Sequence, residues 1–246
     1  MLSCEHHRPF ILLGIFASFI SLLLIVYLHF PDLDEADKKH LKYPRSLDDA
    51  KELGRILSHY KEQHFGVVFA GVVVVYLMLQ SFAIPGSIFL TILSGYLFPF
   101  AAALLLVCTC SASGAVVCYF LSYLFGRSVV MHHFPERLNQ WQEEVGKHRD
   151  NLLNYIVFLR VTPLLPNWFI NIASPVLDVP VGPFFWGTFI GVAPPSFLYI
   201  QAGSTLEQMT HTNIAWNWNS IALLTFFAIL SVLPVFWKRV VRDKLE

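Results

Sequence analysis

Residues 82–100, FAIPGSIFLTILSGYLFPF, and residues 151–180, NLLNYIVFLRVTPLLPNWFINIASPVLDVP, decide how this chain is read. Both are apolar enough for a bilayer, yet proline, glycine and small polar residues interrupt them, and the second carries Arg160. In hydrocarbon every backbone N–H and C=O must be satisfied internally, so a broken helix survives only where protein buries it or where it lines a watery cavity. Neither stretch reads as a plain spanning helix. Both are expected to be re-entrant or broken-helix segments and the working part of the molecule.

The surrounding composition agrees with a membrane setting. Of 246 residues, 55% are hydrophobic and 14% charged, against about a quarter charged in a soluble domain; the mean hydropathy is +0.56. This is an all-α polytopic membrane protein by expectation. Lys plus Arg and Asp plus Glu number 17 each, so no basic excess points to nucleic acid. Cys108, Cys110 and Cys118 share one apolar run, far from Cys4, with no His or carboxylate in that run to complete a metal site. They read as packing residues, and neither metal nor cofactor is expected.

Four regions follow from the pattern. Residues 1–31 hold a retained transmembrane helix, since the apolar run 10–30 exceeds the core of a cleavable signal. Residues 32–64 form a charged linker in which Ser46 and Asp49 make a capping pair, and Leu47, Ala50, Leu53, Leu57 and Tyr60 recur at helical spacing. That spacing predicts an amphipathic helix on the membrane surface, the alternative being a helix packed on the protein's own loops.

Residues 65–203 form the core. It opens with a span over 65–82, and Pro85 to Pro99 is expected to enter and leave by one face. A helix over 101–125 closed by Gly126-Arg127 comes next, then an amphipathic segment over 132–151 with Trp141 at the interface. The second broken segment precedes a run over 182–202 interrupted by Pro194-Pro195. Residues 204–246 hold a last span, 219–237, and a basic tail. The order of broken segment and helix is duplicated, a device that places polar sites near the bilayer midplane.

The helix breaks are assigned to Pro85, Gly86, Gly95, Pro99, Pro163, Pro166 and Pro175. Arg160, Ser87, Thr91, Ser94, Asn167 and Asn171 are the candidates for a hydrophilic lipid path along the breaks. Such neutral groups also serve as interhelical glue. An arginine at mid-bilayer costs about 2.5–3.5 kcal/mol on the insertion scale, so it faces a cavity, a partner or the interior. Two readings of Arg160 stay open: it snorkels or ties off carbonyls freed at Pro163 and Pro166, or it meets a lipid phosphate. Asp178 is the lone carboxylate over 151–199 and lies at the segment's edge. The chain lacks a G-x-x-x-x-G-K-[ST] loop, H-E-x-x-H and G-x-S-x-G, so neither that type of ATP-driven pump nor those hydrolases are indicated, and no catalytic residue is assigned.

Taken together, Phe82-Ala83-Ile84-Pro85-Gly86-Ser87, Leu93-Ser94-Gly95-Tyr96-Leu97, Ser113-Gly114-Ala115, Phe158-Leu159-Arg160, Pro163-x-x-Pro166-Asn167, Gly191-Val192-Ala193-Pro194-Pro195 and Ala202-Gly203 resemble the DedA, or VTT, membrane superfamily from about residue 42 onward. The resemblance implies two broken segments in an inverted repeat, flanked by transmembrane and interfacial helices. It implies an endoplasmic-reticulum protein that scrambles phospholipids between leaflets without ATP and supports autophagosome formation and lipid-droplet and lipoprotein metabolism. Implied partners are phosphatidylserine, phosphatidylcholine, phosphatidylethanolamine and cholesterol, with related VTT-domain membrane proteins. The multi-pass chain is expected to end in the cytosol, as the basic tail also indicates. Bacterial members carry an acid directly after the first Pro-Gly, where this chain has Ser87; that departure argues against proton coupling. An ion-coupled transporter of a lipid-linked or anionic solute, and a membrane-shaping protein without transport, remain the alternatives.

Overall fold

Ser46 starts the core: its hydroxyl accepts the Asp49 N–H at 3.1 Å and launches a helix that runs to Ser81. In the computed structural model, residues 8–30, 42–133, 135–147, 149–162 and 165–211 are described, and every regular element among them is helical. The elements are α1 Arg8–Leu28, α2 Leu47–Ser81, α3 Ser87–Leu97, α4 Phe100–His133, α5 Pro135–Lys147, α6 Leu152–Val161, α7 Asn167–Val176 and α8 Val181–His211. A 3-10 turn at Arg149–Asn151 precedes α6. Residues up to Glu207 make one compact unit; of the second, Gln208–Glu246, only the end of α8 is described. Pro163, Cys4 and the expected span and tail over 219–246 lie outside the described residues.

Phe10–Leu28, Leu47–Ser81 and Phe100–Gly126 are long and apolar enough to cross a bilayer, so the protein is a multi-span membrane protein. The first of these touches the rest through Phe16 and Phe19, whose rings meet Phe82 edge-on at 5.6 and 5.9 Å.

The first broken segment holds one short helix and the second holds two. After α2 ends, the turn over 82–86 feeds α3, whose 11 residues reach about 16 Å, roughly half the hydrocarbon thickness. At its far end Phe98 meets Phe69 of α2 at 5.6 Å, and α4 then climbs back until Gly114 lies against Gln80. Pro85 to Pro99 therefore starts beside the end of α2 and finishes near its bend, so by itself it does not enter and leave at one end as expected; the return is made by α4. In the second half, α6 runs along α8, Ile156 at Gly187 and Arg160 at Gly191. The next helix, α7, turns back toward α4, where Ser122 donates to the Ile172 carbonyl at 2.7 Å. The long helices α4 and α8 are antiparallel: Phe100 meets Phe197 at 5.0 Å and Tyr119 meets Phe184 at 5.3 Å.

Further expectations are corrected. The amphipathic stretch of the linker does not lie on the membrane surface. It is the first arm of α2, which bends at His64 (φ −127°, ψ 42°) and doubles back so that Tyr43 reaches Gly86. Its Ala50, Leu53, Ile56 and Leu57 are buried, with Gly54 against the Tyr96 ring, because its apolar face packs on α3. The expected boundary at residue 64 coincides with this bend, where the two arms of α2 meet. Gly126-Arg127 does not close α4, which continues to His133, since one glycine costs only about 1 kcal/mol in a helix.

Pro194-Pro195 does not interrupt α8; neighbouring helices hold the chain in place, as bilayers allow for prolines in packed helices. Gly95 is not a break but an interior residue of α3, where its missing side chain admits the Ile200 backbone. Pro175 is likewise inside α7, and the break follows it at Leu177 and Asp178. Pro85 and Gly86 lie in the first turn, with Gly86 at φ 111°; Pro99 separates α3 from α4 and Pro166 caps α7.

Candidate functional site

Arg160 occupies the last turn of α6, where a cation suits the negative end of the helix dipole. The close seat of α6 on α8 comes from Gly187 and Gly191: a Cβ at Gly191 would stand 2.6 Å from Arg160 Cβ. This approach carries the guanidinium into the bundle, leaving the residue 5% exposed. One terminal nitrogen donates to the Asn167 carbonyl and to Asn167 Oδ1, both at 3.2 Å. The other donates to Asn171 Oδ1 at 2.6 Å and to Thr188 Oγ1 at 3.0 Å. Arg160 Cζ lies 5.5 Å from the centre of the Phe184 ring.

This cluster joins α6, α7 and α8 across the second break. Among the described residues no carboxylate forms an ion pair with Arg160. Two buried donors, Arg160 Nε and Asn171 Nδ2, have no hydrogen-bond partner among the described residues. Unmet donors beside a buried cation are costly, so the site has unused capacity for an oxygen acceptor.

The first break holds a separate relay. Ser111 Oγ donates to Tyr76 Oη at 3.2 Å; Tyr76 Oη and Thr91 Oγ1 are 3.1 Å apart, and Thr91 donates to the Ser87 carbonyl at 3.1 Å. With Thr91's proton committed to Ser87, Tyr76 is the donor between them. Ser94 donates to the Leu90 carbonyl at 2.7 Å and is fully buried. The structure therefore brings Arg160, Asn167 and Asn171 together and keeps Ser87, Thr91 and Ser94 apart from them. Ser111 and Ser122, which mark the two clusters on α4, are about 16 Å apart along the helix. Thr91, Ser94 and Asn171 are enclosed by protein, whereas Asn167 is exposed and Ser87 partly so.

Sequence reasoning passed over Tyr76 and Ser111, because a tyrosine and a serine in long apolar helices carry no spacing signal. It also passed over Lys61, whose ammonium bonds the Leu97 carbonyl at 2.6 Å and caps α3 from 36 residues away. Gln142 of α5 likewise bonds the Val176 carbonyl at 3.0 Å and Asp178 at 2.8 Å. Among the described residues no three His, Cys, Asp or Glu side chains converge on a metal position, and Cys108, Cys110 and Cys118 are buried free thiols.

Residues 84–205, from the first break to beyond the α3–α8 contact, match the VTT domain family. The "Transmembrane protein 41 homolog" of Caenorhabditis elegans is 64% identical over 237 residues, covering 96% of both chains. This chain belongs to the transmembrane protein 41 branch of the VTT-domain family. "Transmembrane protein 41B" of Homo sapiens is 52% identical over 236 residues, 96% of this chain and 81% of the relative. The Xenopus tropicalis protein of that name is also 52% identical, with 85% of its length covered. No solved structure matches. The VTT match spans both broken segments, α4 and most of α8, so the Arg160 cluster and the Tyr76 relay's partners on α3 and α4 fall within the family's own domain.

Proposed function

We propose that this VTT-domain protein equilibrates phospholipids between the leaflets of the endoplasmic-reticulum membrane without ATP, serving autophagosome formation and lipid-droplet and lipoprotein metabolism. The carrying observation is the Arg160 cluster: a buried cation with neutral partners and two unmet donors, Arg160 Nε and Asn171 Nδ2. A headgroup phosphate is the acceptor that both donors and the charge suit. Headgroups cross hydrocarbon slowly because their charges lose hydration, and donors fixed at membrane depth replace part of it while the acyl tails stay in lipid. Asn167, Trp168 and Phe169 are exposed on α7, so the cluster has a rim from which a headgroup approaches. The cargo is phosphatidylserine, phosphatidylcholine and phosphatidylethanolamine, with cholesterol and related VTT-domain proteins as partners. The C-terminus lies in the cytosol.

Vesicles containing only the purified protein test the reading through transfer of labelled phospholipid between leaflets. Arg160→Ala is expected to lower transfer about tenfold or more, as for loss of a hydrogen bond to a charged group. Arg160→Lys should fall between, since lysine keeps the charge but not the guanidinium's fork of donors. Arg160→Ala also strands Asn171 and Thr188, so a second variant separates folding from transport. Asn171→Asp supplies the missing counter-ion: it should keep or raise the melting temperature while lowering transfer. Wild-type transfer by a folded Asn171→Asp or Arg160→Ala protein would sink the phosphate role.

A further inference from the structure

A cleft of about 400 Å³ opens between α1 and the two arms of α2, far from Arg160 in the sequence and on other helices. Leu23 and Val26 of α1, Leu53, Leu57 and Val72 of α2, and Leu90 of α3 form its walls. Its size falls in the usual range for ligand pockets, about 300–1,000 Å³, and its lining is apolar almost throughout. The bend at His64 creates it: residues 53 and 57 on one arm face 72 and 75 on the other, and α1 closes the third side. Gly71 widens it, since a Cβ there would meet only Val26 Cγ1 at 3.4 Å.

Lys42 and Tyr27 line separate polar edges of the cleft, and both are well exposed. Lys42 pairs with Asp49 at 3.0 Å, which uses one of the ammonium's three donors; among the described residues the others meet no acceptor. An exposed tyrosine at the end of a spanning helix is the pattern of the membrane–water interface. An open apolar cleft beside a spanning helix forfeits dispersion contacts unless something fills it, and in a bilayer the apolar matter at hand is acyl chain.

We propose that this cleft is a site for a resident glycerophospholipid, one acyl chain lying between α1 and the arms of α2 and the phosphate meeting Lys42. The bound lipid acts as a wedge that joins α1, which has few contacts of its own, to the core. It is not cargo: the site shares no residue with the Arg160 cluster, and its occupancy does not depend on the transport reading.

The test uses the full chain in phosphatidylcholine vesicles doped with phosphatidylcholine carrying a photoreactive group in one acyl chain, with labelled positions read by peptide mass spectrometry. Label should concentrate on Leu23, Val26 and Val72. Gly71→Leu, which fills the cleft, should remove most of that label while leaving the label on the outward residues of α1, such as Phe10 and Leu13. Lys42→Ala should lower the cleft label about fivefold, as for loss of one partly screened ionic contact. Lys42→Arg should restore it, and Asp49→Asn should leave it unchanged. If Gly71→Leu fails to fold, the Lys42 variants decide, because Lys42 is on the surface. Label spread evenly along α1 and indifferent to these substitutions would overturn the proposal. So would a photoreactive sterol labelling the cleft where the phospholipid does not.

Discussion

The Asp49 carboxylate takes the Lys42 ammonium on one oxygen at 3.0 Å and the Arg45 N–H on the other at 3.2 Å, while its own N–H goes to Ser46. The Lys42 bond, the Arg45 N–H and the Ser46 hydroxyl, in that order, hold its pKa below the ordinary carboxylate range. A carboxylate with a depressed pKa supports the fold above its unfolded value, near 4, and loses that support as pH falls through the folded value. Amide exchange protection at Asp49 and Ala50, corrected for intrinsic rates, should therefore fall at the acid end, below about pH 4. Asp49→Asn should show low protection with no such step, and a step surviving in that variant would assign it to another group. The Ser46–Asp49 capping pair was legible from spacing alone. Asp49 reaching back to Arg45 rather than to Ser46 was not, because the spacing does not say which N–H the extended entry presents.

Helix ends carry the two breaks, and both ends use a residue in the left-handed region: Ala83 at φ 55° after α2 and Asp178 at φ 56° after α7. In each case the next N–H bonds five residues back, Ile84 to Leu79 at 2.9 Å and Val179 to Ser174 at 3.0 Å, the helix-closing pattern that favours glycine. The Cβ costs roughly 1–2 kcal/mol in that conformation. Ala83→Gly should accordingly raise the melting temperature by about 2–4 °C, the shift expected per kcal/mol for a chain of this size. Asp178→Gly should gain less or nothing, since it also removes the bond from Gln142. An unchanged or lower melting temperature for Ala83→Gly would show that the turn is not strained. Pro85-Gly86 and Pro166 marked the breaks in the sequence. Ala83 and Asp178 bore no signal, because a left-handed alanine or aspartate is imposed by what the following segment packs against.

At the scale of the molecule, the two halves meet where α3 crosses α8 backbone to backbone. A Cβ at Gly95 would collide with the Ile200 carbonyl, and one at Gly203 with the Ile92 carbonyl. Neither neighbour is a side chain that can turn away. Gly95→Ala and Gly203→Ala should each cost about 1–3 kcal/mol, the range for overpacking a tight contact, read as a lowered melting temperature in detergent. Since both act on one crossing, the double variant should cost less than the sum. A simple sum would mean that the two glycines serve separate contacts, and two silent substitutions would remove this crossing from the fold.

The amino-acid pattern by itself determined the membrane setting, the helical class, the two broken segments and the family, because burial of apolar runs and the effects of proline act locally along the chain. Tertiary structure alone decided the rest. The linker helix reads as amphipathic in water or at a membrane, and only its contact with α3 says which apolar surface it covers. Pro194 and Pro195 break an isolated helix, yet α8 stays continuous, held in the core by Val192 before them and Ile200 after them. Arg160 reads as a single deep cation; only the approach of α6 to α8 at Gly191 and the return of α7 reveal neutral oxygens around it and two donors still unmet. Sequence spacing records which side chains share a helix face, whereas which faces meet depends on contacts between residues far apart in the chain.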